Sequence, residues 1–225
     1  GMPMIGHVYK RVSSSKSVDL TVVATCDDEI AKYIESLGGV AIMTKDTHER
    51  ASDRCAEALN ILHESSMEHR FDIAVMVQGD EPMIEPEMIL EAVNPLINNQ
   101  KINVVNLGGK IESEEEFNDL NCIKLVRDIE GNAIYFSRRP IPNCVFEDAA
   151  PKIKQVCVIP FRSKFLFDYT KMEPTPLEIA ESIDMLRVLE HGGKVYIAPT
   201  NFQTKAVDTP EDLKAVEEMM RKTRH

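Results

Sequence analysis

Positive charge is in short supply in this chain. Its 225 residues carry 26 lysines and arginines against 37 aspartates and glutamates, a formal net charge of -11. Nucleic acids and anionic membranes need a basic face to replace their counterions, so non-specific binding to either is excluded. An anionic small substrate would need a local basic pocket or a divalent cation. The sequence also lacks an apolar run of about 18 residues, the length that crosses a bilayer, and a basic-then-apolar leader. The expected location is therefore the cytoplasm. Cys26, Cys55, Cys122, Cys144 and Cys157 are widely spaced and form no Cys-x-x-Cys pair, which argues against a zinc site or a disulfide framework. Reduced, mostly buried thiols are expected instead. A Gly-x-Ser-x-Gly elbow is missing, as is a Walker-type Gly-Lys-Ser/Thr loop, so a serine hydrolase and a P-loop enzyme find no support.

What remains is an ordinary soluble globular composition, 43% apolar and 28% charged, without low-complexity tracts. Short β-rich runs alternate with amphipathic stretches, the pattern of βα units and a largely parallel sheet. Strands are expected at residues 20–25, 40–43 and 73–77. Helices are expected at 28–37, ended by Gly38-Gly39, at 52–64, started by Ser52 and Asp53, and at 85–97. The pattern then changes. Extended runs at 104–107, 122–127 and 133–136 follow, the last two joined by the hairpin connection Asp128-Ile129-Glu130-Gly131-Asn132. A strand at 155–161, a helix at 176–191, a strand at 195–198 and a helix from Thr209-Pro210 complete the reading. The chain reads as one α/β domain over 1–225 with a β-rich insertion at 100–161.

In open α/β sheets, ligands sit outside the carboxyl ends of the strands. There the chain has Val77-Gln78-Gly79-Asp80-Glu81-Pro82. Asp80 fits two roles, a cap on the turn before the next helix or a ligand-binding carboxylate. Gln78 adds an amide, and Gly79 permits close approach to the backbone. Asp208, in Ala-Val-Asp-Thr-Pro-Glu-Asp-Leu, again ends an extended run before a helix, and the same two roles stay open. Two strand-end carboxylates that met could hold magnesium, which takes few protein carboxylates and fills its other positions from phosphate and water.

Val77 to Ile84, Tyr135-Phe136-Ser137-Arg138 with Pro140-Ile141-Pro142, Leu177-Glu178 with the run to Val195, and Val207 to Leu213 occur in this order in a known family. With them go the early segments Pro3 to Arg11, Val23 to Ile30 and Met43 to Leu59. The chain resembles the 3-deoxy-manno-octulosonate cytidylyltransferases, also called CMP-KDO synthetases, over nearly its whole length. The resemblance implies a Rossmann-like sheet flanked by helices and a β-rich dimerisation insertion. It implies transfer of CMP from CTP to the anomeric hydroxyl of an acidic sugar, with release of pyrophosphate, for lipopolysaccharide. It further implies magnesium on Asp80 and Asp208, nucleotide contacts from Ser52, Arg54 and Gln78, and sugar contacts from Ser137, Arg138, Glu178 and Glu181. A homodimer is implied as well. His48 lies in a family-like loop and could approach the ligand, whereas His7, His63, His69, His191 and His225 read as helix-surface residues.

The departures are specific. The family opens with a strand and a Gly/Arg/Lys-bearing phosphate loop ahead of the segment that matches Pro3 to Arg11, and the natural chain is expected to continue upstream of Met2. Without that loop, an inactive nucleotide-binding or assembly partner is an alternative. Arg50-Ala51-Ser52 stands where the family has Ser-Gly-Thr. Gln155, Cys157, Val158 and Ile159 stand where it shows His-x-Gly-Ile-Tyr. Either this strand is neutrally repacked or the sugar pocket is altered, which keeps an acylneuraminate or an amino-octulosonate open as substrate.

Overall fold

Alternating β-branched runs and amphipathic stretches fold as βα units through the first third of the chain. The computed structural model describes residues 1–65, 70–146 and 149–222. It opens with α1 (Met4–Ser13), β1 (Val22–Thr25), α2 (Asp28–Ser36), β2 (Val40–Met43) and α3 (Ala51–Ser65). β1 and β2 pair in parallel, from Val22 opposite Val40 to Thr25 opposite Met43. α2 starts where the Asp27 carboxylate accepts the N–H groups of Glu29 at 2.7 Å and Ile30 at 3.3 Å, which satisfies donors that the first turn leaves open. It stops at Gly38, whose φ of 78° is the left-handed conformation glycine adopts without penalty. β3 (Ile73–Val77) and α4 (Pro86–Asn98) follow.

The next stretch is richer in strands: β4 (Val105–Lys110), α5 (Glu114–Asn118), β5 (Lys124–Arg127), β6 (Ala133–Ser137), β7 (Ile153–Val156) and β8 (Val158–Arg162). Then come α6 (Ser163–Tyr169), α7 (Pro176–Glu181), α8 (Asp184–Glu190), β9 (Tyr196–Thr200) and α9 (Pro210–Lys222). A five-stranded sheet has the order β6-β5-β7-β4-β9, and β3 pairs with β8 separately. β4 runs parallel to β9 and antiparallel to β7, while β5 is antiparallel to β6 and β7, so the architecture is mixed α/β. The expected hairpin connects β5 to β6, with Gly131 at φ 89°.

By compactness the chain divides into two units. The first is Gly1–Phe71, Val77–Leu90 and Gln203–His225; its core includes Ile34, Ile42, Leu59 and Ile84. The second is Asp72–Met76 and Glu91–Phe202, with a core around Leu107, Leu125, Phe136, Phe161 and Leu186. Among the described residues no helix is long and apolar enough to cross a membrane.

Three expectations change. The single strand at 155–161 is two strands: Val156 pairs with Leu107 in the five-stranded sheet, and beyond Cys157 the chain joins β3 instead. A continuous apolar run carries no mark of such a change of partner. The helix at 176–191 is likewise two, α7 and α8, broken where Ser182 adopts φ 54° and ψ 52° and Ile183 is extended and buried. The five thiols are free as expected, but Cys26 is exposed and the other four are half-buried. Of the histidines, His69 and His225 lie outside the described residues.

Candidate active site

The first unit carries the two aspartates. After β3 the chain turns through Gln78, Gly79 and Asp80, with the Glu81 N–H donating to the Gln78 carbonyl at 3.4 Å and the Ile84 N–H to the Glu81 carbonyl at 3.2 Å. Met83 and Ile84 sink into the core, which anchors the far side of the turn and leaves Asp80 half-buried at its tip. A Cβ at Gly79 would meet only the Ile5 Cδ1, at an ordinary 3.4 Å, so the chain's own packing does not demand glycine there. The Val207 N–H donates to the Asp80 carbonyl at 2.9 Å, which ties the segment ahead of Asp208 to the end of β3.

Electrostatics link the same pair. Burial pushes the Asp80 carboxyl above its ordinary value, and the charge of Asp208 pushes it in the same direction. Asp80 Oδ1 is buried with no hydrogen-bond partner among the described residues. An orphaned carboxylate oxygen beside a second carboxylate is unfavourable by itself and fits a cation. No group of three or more His, Cys, Asp or Glu suited to a metal occurs among the described residues. Two carboxylates leave most positions of a divalent ion to water and phosphate, in keeping with magnesium's preference.

Asp208 is held by the start of α9. The Asp212 carboxylate accepts from the Thr209 N–H at 3.0 Å and the Thr209 hydroxyl at 2.7 Å, and it pairs with Lys205 at 2.7 Å. The Thr209 hydroxyl in turn accepts the Asp212 N–H at 3.2 Å. This reciprocal cap fixes the backbone directly after Asp208.

Ser52 and Arg54 occupy the first turn of α3, Ser52 fully buried. Arg54 Nη1 donates to the Thr44 hydroxyl at 2.6 Å and the Lys45 carbonyl at 3.3 Å, which ties α3 to the loop after β2. Glu57, not anticipated from sequence, organises that loop. Its Oε2 accepts the Lys45 N–H at 2.9 Å and lies 2.5 Å from His48 Nε2, and these bonds, Lys45 first, hold its carboxyl below the ordinary value. His48 is thus engaged with Glu57. The signal was available, since Glu57 stands on the same helix face as Arg54, three residues on.

The second unit carries the four residues of the expected sugar side. Ser137 and Tyr135 alternate on one face of β6, and both hydroxyls donate to Glu181 Oε1, at 3.2 Å and 3.4 Å. The Arg138 N–H donates to Glu181 Oε2 at 2.8 Å. The Arg138 guanidinium donates to the carbonyls of Glu181 at 2.7 Å, Leu120 at 3.1 Å and Ser182 at 3.4 Å. It therefore caps the open end of α7, where carbonyls lack helical partners and positive charge is favoured. Tyr135 is a further residue missed in the sequence, although period-two alternation puts it beside Ser137.

Glu178 is placed differently from its three companions. It is fully buried, and both carboxylate oxygens are bound by Arg187, at 2.7 Å from Nε and 2.6 Å from Nη2. Arg187 also lies over the Tyr169 ring, 4.8 Å from its centroid. This bidentate pair joins α7 to α8, and a ligand would have to break it to reach Glu178.

The chain is similar to known proteins. The profile of a family described as cytidylyltransferase matches residues 1–197. A 3-deoxy-manno-octulosonate cytidylyltransferase of Geobacter metallireducens is 40% identical over 98% of this chain and 89% of its own length. One of Geotalea uraniireducens is 40% identical over 99% and 90%. A solved CMP:2-keto-3-deoxy-manno-octonic acid synthetase complexed with CTP superposes with a TM-score of 0.88 at 32% identity, over 99% of this chain and 89% of that one. On the profile match and these identities together, the chain belongs to the cytidylyltransferase family.

Proposed function

We propose that the chain transfers CMP from CTP to the anomeric hydroxyl of 3-deoxy-manno-octulosonate and releases pyrophosphate, in the cytoplasmic supply of activated sugar for lipopolysaccharide. The observation that carries the reading is the Asp80–Asp208 pair with its buried, unpartnered Oδ1. The identities with named 3-deoxy-manno-octulosonate cytidylyltransferases support the choice of substrates. Asp80 and Asp208 would hold magnesium, which when bound offsets the charge that develops as a sugar oxygen attacks the α-phosphorus. The chain's own residues then position and neutralise. Asp80 is presented by the turn after β3, and Asp208 is steadied by the Thr209–Asp212 cap. Ser52, Arg54 and Gln78 are assigned to the nucleotide. Ser137, Arg138 and Glu181 are assigned to the sugar, whose hydroxyls and carboxylate match that mixture of hydroxyl, guanidinium and carboxylate. Glu178, on the same helix as Glu181, is held by Arg187. No covalent intermediate on the protein is required, because orientation and charge neutralisation carry the step; the attacking hydroxyl's proton passes to water or to the departing pyrophosphate.

A second reading, another acidic sugar, has one observation in its favour. The Gln155 amide donates to Asn106 Oδ1 at 2.5 Å and Ile159 is 2% exposed, so these two positions offer a ligand less than the residues usual there. Pyrophosphate release with CTP, magnesium and a panel of 3-deoxy-manno-octulosonate, its amino analogue and N-acetylneuraminate separates the readings. Turnover is expected with the first, turnover only with another acid would move the assignment to that acid, and a folded chain inert with all three would overturn it. A homodimer is part of the proposal, supported by exposed apolar side chains of the second unit such as Ile134 and Phe146. A monomer's mass in light scattering would count against it.

A further inference from the structure

One buried charge in the second unit has no part in the mechanism so far. Lys124 on β5 is fully buried and stands directly across from Ser137 on β6. Directly opposed residues of an antiparallel pair share a face, so Lys124 lies under the Ser137 and Tyr135 side of the sheet. An ammonium has three N–H donors. Here all three go to peptide carbonyls: Asp119 at 2.7 Å, Cys122 at 2.6 Å and Arg138. The carbonyl dipoles solvate the charge, and among the described residues no carboxylate accepts from it, while burial lowers the ammonium pKa from its ordinary value.

The consequence falls on Arg138. Its carbonyl is held by Lys124, its N–H by Glu181 Oε2 and its Nε by the Glu181 carbonyl, so the residue is fixed through three different groups. Charge follows the same geometry. The cations Lys124 and Arg138 stand among the carboxylates of Asp119 and Glu181, so the cluster is balanced before a ligand arrives.

We propose that Lys124 is a positioning residue for the acidic sugar, fixing the Arg138 peptide against Glu181 on the face where the sugar is received. This rests on the reading that Ser137, Arg138 and Glu181 receive the sugar.

The test compares the affinity for sugar with the affinity for CTP on the full chain, as KM in pyrophosphate release and as Kd in titration calorimetry. Lys124→Met and the shorter, neutral donor Lys124→Gln are expected to weaken 3-deoxy-manno-octulosonate by about 10-fold or more while CTP changes less than about 2-fold, the scale of a lost charge-assisted hydrogen bond. Lys124→Arg, which keeps the charge, should recover part of the sugar affinity and keeps the question answerable should the neutral variants not fold. A Lys124→Gln effect combined with Glu181→Gln should fall short of the product of the two single effects. A loss shared equally by sugar and CTP, or a fall in kcat with both affinities intact, would overturn the proposal. Glu181→Gln separates the layers. If it leaves sugar affinity unchanged, the site assignment fails; if it weakens sugar and Lys124→Gln does not, the assignment stands and the role of Lys124 fails.

Discussion

The charged clusters of the two units are satisfied to different degrees. In the first unit, Asp80 keeps a buried oxygen without a donor and has Asp208 as a like-charged neighbour. In the second, Glu178 is bound twice by Arg187, Arg138 bonds carbonyls of two segments, and Lys124 uses every N–H it has. An arrangement that costs stability without a ligand persists where a ligand completes it, whereas a saturated one sets shape before any ligand arrives. The first unit would then bear on turnover and the second on stability and selectivity.

The largest effect expected from that contrast is catalytic. Asp80→Asn or Asp208→Asn should lower kcat by on the order of 10²–10³-fold in pyrophosphate release. Removal of one of two repelling charges should meanwhile leave the metal-free melting temperature unchanged or higher; a folded variant with wild-type turnover would erase the distinction between the units. Next comes the buried pair. Arg187→Met strands Glu178 in the core and should cost about 3–5 kcal/mol in urea unfolding, while Glu178→Leu with Arg187→Met should recover most of it. An equal loss in the double variant would show that packing, not charge, is at stake.

Glu181→Gln should raise the KM for sugar about 10-fold and spare CTP, because it weakens charge-assisted bonds made by Ser137, Tyr135 and Arg138. A rise in the KM for CTP instead would contradict a purely sugar-side role. The pH dependence sharpens the first unit. Asp80 is raised in the folded state, so folding binds its proton more tightly, and stability is lost as pH rises from the ordinary carboxylate value through the raised one. In chelator, the melting temperature of Asp80→Asn relative to wild type should therefore climb from acid to neutral pH. The smallest effect is at Ser182, whose left-handed backbone costs about 1 kcal/mol in any residue with a Cβ. Ser182→Gly should raise the unfolding free energy in urea by that amount, and a fall would mean that the Ser182 hydroxyl matters more than the strain.

What the sequence revealed follows the locality of each feature. β2 and β3 lie at the predicted residues, because short β-branched runs bounded by glycine or polar turns are local signals. Asp80 and Asp208 were each legible as strand-end acids, but their association depends on the Val207–Asp80 bond, which no spacing encodes. α6 was missed because Ser163–Tyr169 has a weak start and only two turns, and the break at Ser182 because left-handed serine is rare and its compensation comes from Arg138, distant in sequence. Glu178 carried the same motif signal as Glu181. Only three dimensions separate the one that faces β6 from the one that faces Arg187.

The passage of the chain from β7 to β8 at Cys157 makes residues 153–162 common property of two ladders, the five-stranded sheet and the pair with β3. Side chains in a strand alternate faces, so one inserted residue on either side of Cys157 would turn the inner side chains of that ladder outward. Surface loops in general tolerate added length with little cost to a core. This stretch has a fixed residue count, and sequences descended from it should vary in side chain there long before they vary in length.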